Sequence, residues 1–335
     1  MTNLPIQRKL TGHRGLLWCA LMLLLAGFTG TQTAGAETAP ESITMAHVHS
    51  RLRVLNHQID TLRQFMGKPK IDRTELQVSG AASREVYFQA RSMLDNAQRL
   101  RFELTHEKAA STAQLTEGIA PADVYHTVDA AIDCIDRVLV HLGVEASPTD
   151  ELPMEYHADP SDVFCEVVQI NRQLNMLLER QVAPSDVFEK VTLGVGYTSR
   201  ILASFPGATT IPESPEFEPG KYPSDVYARL LECQQRLKRV ADISGLQVLQ
   251  VDVAREQVAT AVPNDVHQLA SLVVSELAYV HSQIPAAQPP RPVYYVGRKF
   301  PSHVYQRAGL LERQLIELEA LVRKHPNWLA NGAEE

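Results

Sequence analysis

A recurring tetrapeptide constrains this chain more than any other feature. Pro160-Ser161-Asp162-Val163, Pro184-Ser185-Asp186-Val187 and Pro223-Ser224-Asp225-Val226 match outright. Pro121-Ala122-Asp123-Val124, Pro263-Asn264-Asp265-Val266 and Pro301-Ser302-His303-Val304 each differ at one position, and Ser83-Arg84-Glu85-Val86 and Ala46-His47-Val48 are degenerate copies. The valines stand at 48, 86, 124, 163, 187, 226, 266 and 304, so the spacings are 38, 38, 39, 24, 39, 40 and 38. The single short step divides the chain into two halves of four units, residues 37–181 and 182–325, followed by a tail, 326–335. Duplication of a four-unit ancestor is the simplest source of such a pattern.

Each unit reads as one amphipathic helix. Apolar residues follow the valine in alternating steps of four and three, which keeps them on one face. Val124, Val128, Ala131, Ile135, Val138 and Leu142 show the pattern, as do Val226, Leu230, Cys233, Leu237 and Val240. A second apolar line beside the first, such as Tyr125, Ile132 and Leu139, widens the face beyond a two-stranded seam. The expected fold is therefore all-α, a bundle of about eight helices in two four-helix halves. A solenoid of helical hairpins is the alternative. Unit five is the weakest helix, because Gly194 and Gly196 interrupt it at about 1 kcal/mol each relative to Ala.

The tetrapeptide has the chemistry of a helix start. Pro suits the first turn, Ser or Asp accepts from its unpaired N–H groups, and an acidic residue complements the positive end of the helix dipole. If the residue before the valine is the cap, Glu189, Gln268 and Gln306 stand at the reciprocal capping-box position. The rival reading gathers the carboxylates to bind a cation.

The residue after the valine is a planar ring in every unit: His49, Tyr87, Tyr125, Phe164, Phe188, Tyr227, His267 and Tyr305. Aromatic residues and His together number 33 of 335, so eight out of eight is not chance. Packing of the rings on neighbouring helices explains the pattern without a ligand. If the rings instead converge on a pocket, Tyr87, Tyr125, Tyr227, His267 and Tyr305 are its candidate ligand-binding residues.

Connection lengths bear on helix direction. A 20-residue helix is about 30 Å long, and the stretch from Pro206 to Pro223 reaches on the order of 50 Å when extended. Such linkers let the chain return to its starting end, which would make the helices of one half parallel. The short join 179–183 instead demands an antiparallel neighbour. Linkers such as 211–219 and 285–292 are too rich in Pro for helix, whereas 251–258 has room for a short one.

Residues 1–36 read as a cleaved signal peptide, with Arg8, Lys9 and Arg14 before an apolar run from Leu16 to Ala26 and Ala34-Gly35-Ala36 as the cleavage site. Its removal would leave 299 residues with 29 basic and 39 acidic side chains, a net charge of −10. A periplasmic location is expected, with secretion as the alternative. The acidic balance and the lack of a basic cluster argue against nucleic acid as a partner, and no later segment reads as a membrane span. The three cysteines left, Cys134, Cys165 and Cys233, show no C-x-x-C spacing, and whether any pair is bridged stays open.

No metalloprotease, hydrolase, dinucleotide, P-loop or EF-hand pattern occurs, so no catalytic residue, metal or cofactor is expected. The leading expectation is an exported, non-enzymatic interaction or scaffolding module whose partner is another protein. The alternative is a periplasmic small-molecule binding or sensing domain built on the ring-bearing helix ends.

Overall fold

The computed structural model describes residues 43–70, 77–109, 118–145, 157–291 and 297–329. The expected signal peptide lies outside them. One long helix follows each unit: α1 (Met45–Phe65), α2 (Ser83–Thr105), α3 (Pro121–Leu142), α4 (Pro160–Leu177), α5 (Pro184–Leu202), α6 (Pro223–Ile243), α8 (Pro263–Ser282) and α9 (Pro301–Lys324). A five-residue helix, α7 (Arg255–Ala259), occupies the linker where a short helix was expected.

The helices begin where the tetrapeptides stand, but the capping chemistry differs from the expectation. The N-cap is the residue before the proline, and Pro occupies the first helical position. The acidic residue, two positions after the proline, turns back to accept from the N-cap amide. Asp123, Asp186, Asp225 and Asp265 receive the N–H groups of Ala120, Ala183, Tyr222 and Val262 at 2.7–3.0 Å. Glu85 does the same for Ala82, and the His47 and His303 rings for Thr44 and Phe300. Unit four departs from this, since Asp159 is itself the cap and accepts from Ser161 N. The capping box assigned to Glu189, Gln268 and Gln306 was therefore displaced by three residues.

All eight valines are buried, at 0–2% exposure, and so are the stripes that follow them. Burying one such side chain contributes about 2 kcal/mol. These faces close two four-helix bundles. In the first, α1 and α2 each pack on α3 and α4; in the second, α5 and α6 each pack on α8 and α9. The first and second helices of each bundle thus lie diagonally opposite, as do the third and fourth, with no α1–α2 or α5–α6 packing among the described residues. A solenoid of hairpins would place those pairs side by side, so that alternative is excluded.

Within each bundle the helices are parallel. Pro184, Pro223, Pro263 and Pro301, with the valines that follow them, surround one point at the end of the second bundle. In the first, α1 contacts α3 through Arg51–Asp129 and Gln58–Asp136, both partners advancing seven residues together. Asn96 of α2 donates to Asn171 of α4, and further along the same pair Glu103 accepts from Glu179 N. The bundles themselves are antiparallel. Arg84 meets Glu276 and Gln89 meets the Gln268 carbonyl, so α2 descends as α8 rises, and Arg172–Asp265 sets α4 against α8 in the same sense. The short join after α4 does reverse the chain direction. It delivers α5 to α8 and α9, however, and the antiparallel neighbour of α4 is α8.

The linkers are held by side chains. Gln306, Arg313 and Gln314 of α9 donate to the carbonyls of Pro215, Glu213 and Thr210. Two linkers pair as strands that the sequence did not suggest, β1 (Gln77–Ser79) and β2 (Gln250–Asp252), antiparallel with Val78 opposite Val251. Three residues are too few to show an alternating pattern. The residues read as a tail begin with an anchor: the Trp328 ring lies 5.0 Å from that of Phe205, and its indole N–H donates to Ser244. Among the described residues Cys134, Cys165 and Cys233 form no disulfide, and burial pushes the Cys134 and Cys233 thiols up.

The α5 glycines do not break that helix, because both stand where something approaches closely. A Cβ on Gly196 would lie 3.1 Å from Pro290 Cβ in a linker, and one on Gly194 would meet Leu311, Val274 and Leu277 at 3.5–3.6 Å, ordinary contact. We expect Gly194→Ala to stabilise the protein by about 1 kcal/mol through helix propensity, measured by urea unfolding. Gly196→Ala should gain less, because Pro290 must yield.

Candidate functional site

The ring residues do not gather in one cavity, although Phe164 and Tyr227 line a small one together. In five units the ring instead enters the seam with the next helix around its bundle, where it meets the residue three positions after that neighbour's valine. The Arg51 guanidinium of α1 lies 5.9 Å from the Tyr125 ring of α3, and Glu166 of α4 stands 3.3 Å from His49 of α1. In the second bundle Arg229 of α6 covers Tyr305 of α9 at 3.6 Å, and Arg307 of α9 lies 4.9 Å from Phe188 of α5. Lys190 of α5 acts on His267 of α8. Desolvation first, then the Lys190 and Arg99 charges, draw that imidazole down to about 3.

Tyr87 and Tyr227 are buried. Tyr227 lines a cavity of about 20 Å3 with Phe164, Val168, Arg172 and Asp265, and burial, followed by the Asp265 carboxylate, pushes its hydroxyl up to about 12. The end of the second bundle, where four helix N-termini meet, leaves a space of only about 10 Å3 lined by Pro and Val. That volume is at the threshold for one water molecule. Of the five candidates, Tyr125, His267 and Tyr305 therefore lie in three separate seams, Tyr227 borders a small cavity and Tyr87 is buried in its bundle.

The serines of the tetrapeptide also act between helices. Ser302 of α9 accepts from Lys221 N, in the linker entering α6, and Ser185 of α5 accepts from Lys299 N, in the linker entering α9. Ser161 of α4 accepts from Ala81 N, just before α2. Motif serines thus fasten the incoming chain of a neighbouring helix.

Chemistry-bearing groups that the sequence did not single out gather where the bundles meet. Glu85 of α2 and Glu276 of α8 are 2% and 0% exposed, and Arg84 bonds to both carboxylates. Glu276 also accepts from Leu249 N, ahead of β2. Burial and the neighbouring Glu85 push the Glu276 carboxyl up, to about 8, which favours its protonated form near neutral pH. Nearby, Arg172 and Asp265 form a second buried pair at 3.0 Å. Glu276 stands too far in sequence from Arg84 and Glu85 to have been grouped with them, although Arg84, Glu85 and Asp265 belong to recognised motifs.

Among the described residues no three His, Cys, Asp or Glu side chains are grouped to hold a metal ion, and no helix is long and apolar enough to cross a membrane.

The Glu276 shift carries a pH signature. A carboxyl with a raised folded-state value binds more protons folded than unfolded, so stability falls as pH rises between its ordinary and folded values. Between pH 6.5 and 8, above the range where histidines contribute most, the melting temperature should fall. In Glu276→Gln, which retains the hydrogen bonds without the proton, that decline should flatten. Comparison with protein-family models, with curated proteins and with solved structures finds no match.

Proposed function

We propose that this chain is an exported, non-enzymatic interaction module of the periplasm that docks another protein on the N-terminal end of its second bundle. One observation carries the reading. The N-cap residues around that end include Tyr222, Val262 and Phe300, exposed by 70%, 38% and 52%, with exposed Phe217 stacked beside them on His303 at 5.0 Å. The equivalent N-caps of the first bundle are Thr44, Ala82, Ala120 and Asp159, all small or polar.

Capping alone does not call for large apolar side chains, since the N-caps of the second bundle contribute only backbone atoms to the bonds described. Ala183 fills the same position on α5 without one. Large exposed aromatics beside cations are the composition of binding hot spots. Lys221 stands directly before Tyr222, and the Arg298 guanidinium lies 5.4 Å from the Phe300 ring. A partner surface with an apolar centre and an acidic edge complements this end.

The test is affinity purification of the mature chain from periplasmic extract. A stoichiometric protein partner is expected, and the double substitution Tyr222→Ser, Phe300→Ser should weaken its binding at least about tenfold, roughly 1.4 kcal/mol. Because both side chains are exposed, the melting temperature should not change. A monomer that captures nothing, or a double variant that binds as tightly as the parent, overturns the reading.

A further inference from the structure

A second surface, independent of that end, has the features of a small-molecule site. Where α2, α5 and α8 meet the linker after α8, a cleft of about 220 Å3 is lined by Arg84, Phe88, Tyr197, Tyr279, His281 and the segment Ile284–Pro289. A junction between two packed units is a usual place for such a cleft. An apolar cavity of about 150 Å3 accommodates benzene, so this one has room for a single six-membered ring with small substituents. Its walls suit a ring: Phe88, Tyr197 and Tyr279 supply aromatic surface, and Ala278 and Ala287 leave space beside them.

Two polar groups on this cleft lack partners. His281 is 4% exposed, and its Nε2 has no hydrogen-bond partner among the described residues; the same holds for the buried Nε of Arg84. The other His281 nitrogen, Nδ1, is the one left to bond to the Gln288 backbone. Burial first, and then the Arg200 charge, lower the imidazole below its usual value, so it is neutral at pH 7. With Nδ1 carrying the proton toward a carbonyl, Nε2 presents a lone pair that needs a donor. The Tyr197 ring meets the imidazole edge-on at 5.5 Å, and the Tyr279 face is covered by the Arg84 guanidinium at 3.5 Å.

Charge narrows the ligand further. Arg84 is already bonded to the Glu85 and Glu276 carboxylates, so it brings no unmatched charge to the cleft for an anion. What Arg84 still offers there is its buried Nε–H, and what His281 Nε2 still needs is one donor. We infer that this cleft binds a small uncharged phenol, its single ring held among Phe88, Tyr197 and Tyr279, its hydroxyl donating to His281 Nε2 and a neutral carbonyl substituent accepting from Arg84 Nε.

Calorimetric titration of the full mature chain at pH 6.5 with 4-hydroxyacetophenone tests this. Saturable one-to-one binding is expected, with a matching rise in melting temperature. The methyl ether of the same compound, which cannot donate, and 4-hydroxybenzoate, which brings a charge, should each bind about tenfold or more weakly. His281→Phe keeps the wall and removes the acceptor, and should lose at least as much. Ala287→Leu, at a half-buried linker position outside the bundle cores, should fill the cleft and abolish binding if His281→Phe fails to fold. Absence of saturable binding up to about 10 mM, equal affinity for the methyl ether, or binding that survives Ala287→Leu overturns the inference.

Discussion

Everything in this architecture depends on collecting the N-termini of parallel helices at one end of a bundle. Each such terminus carries the equivalent of about half a positive charge and several unpaired N–H groups. Four together are unfavourable unless each is neutralised locally. The acidic residue of the tetrapeptide does this by reaching back to its own N-cap amide, as in Asp186, Asp225 and Asp265 of the second bundle. The proline before it removes one orphan N–H at no cost and fixes the entry geometry. Antiparallel docking of the two bundles then sets the dipole of α8 against those of α2 and α4.

Parallel helices need return segments as long as the helices themselves, and this accounts for the chain's proline-rich connections. These segments cannot bond to themselves as a helix does, so their backbone groups are met by side chains of the bundle: Gln306, Arg313 and Gln314 along one linker, and Ser185 and Ser302 at the entries to α9 and α6. Gly196 and Gly309 mark where linkers press on helices, since Pro290 and Pro215 lie 3.0–3.5 Å from where a Cβ would stand. Five of the rings after the valines complete the same arrangement, each meeting the neighbouring helix where long side chains such as Arg229 and Arg307 cover it.

The bundle junction departs from this regularity. It concentrates buried groups whose partners come from distant parts of the chain: Arg84 with Glu276, Arg172 with Asp265, and Glu276 with Leu249 N. Neither bundle alone supplies both partners of the Arg84–Glu276 and Arg172–Asp265 pairs, so the two halves are specified to meet in one orientation. Cleft, buried carboxylates and strand pair all lie at this junction because two packed convex surfaces leave gaps there, which linkers fill incompletely.

The sequence by itself determined the helices, their starts, their buried stripes and the recurrence of a ring, because those features come from interactions within one helical turn or along one face. The acidic residue was legible as an N-terminal device but was assigned to the wrong amide, since its spacing from the cap depends on which residue leaves the extended conformation. Eight rings in register were compatible with packing between helices or with convergence on a pocket. Only the tertiary structure showed that a fixed angular position on parallel helices sends five of them into separate seams. It also decided that α1 lies diagonal to α2, that α4 neighbours α8, and that Arg84, Tyr197 and His281 border one cleft. Those relations join residues on different helices, well beyond one helical turn or one face, and no local periodicity encodes the direction from which another helix arrives.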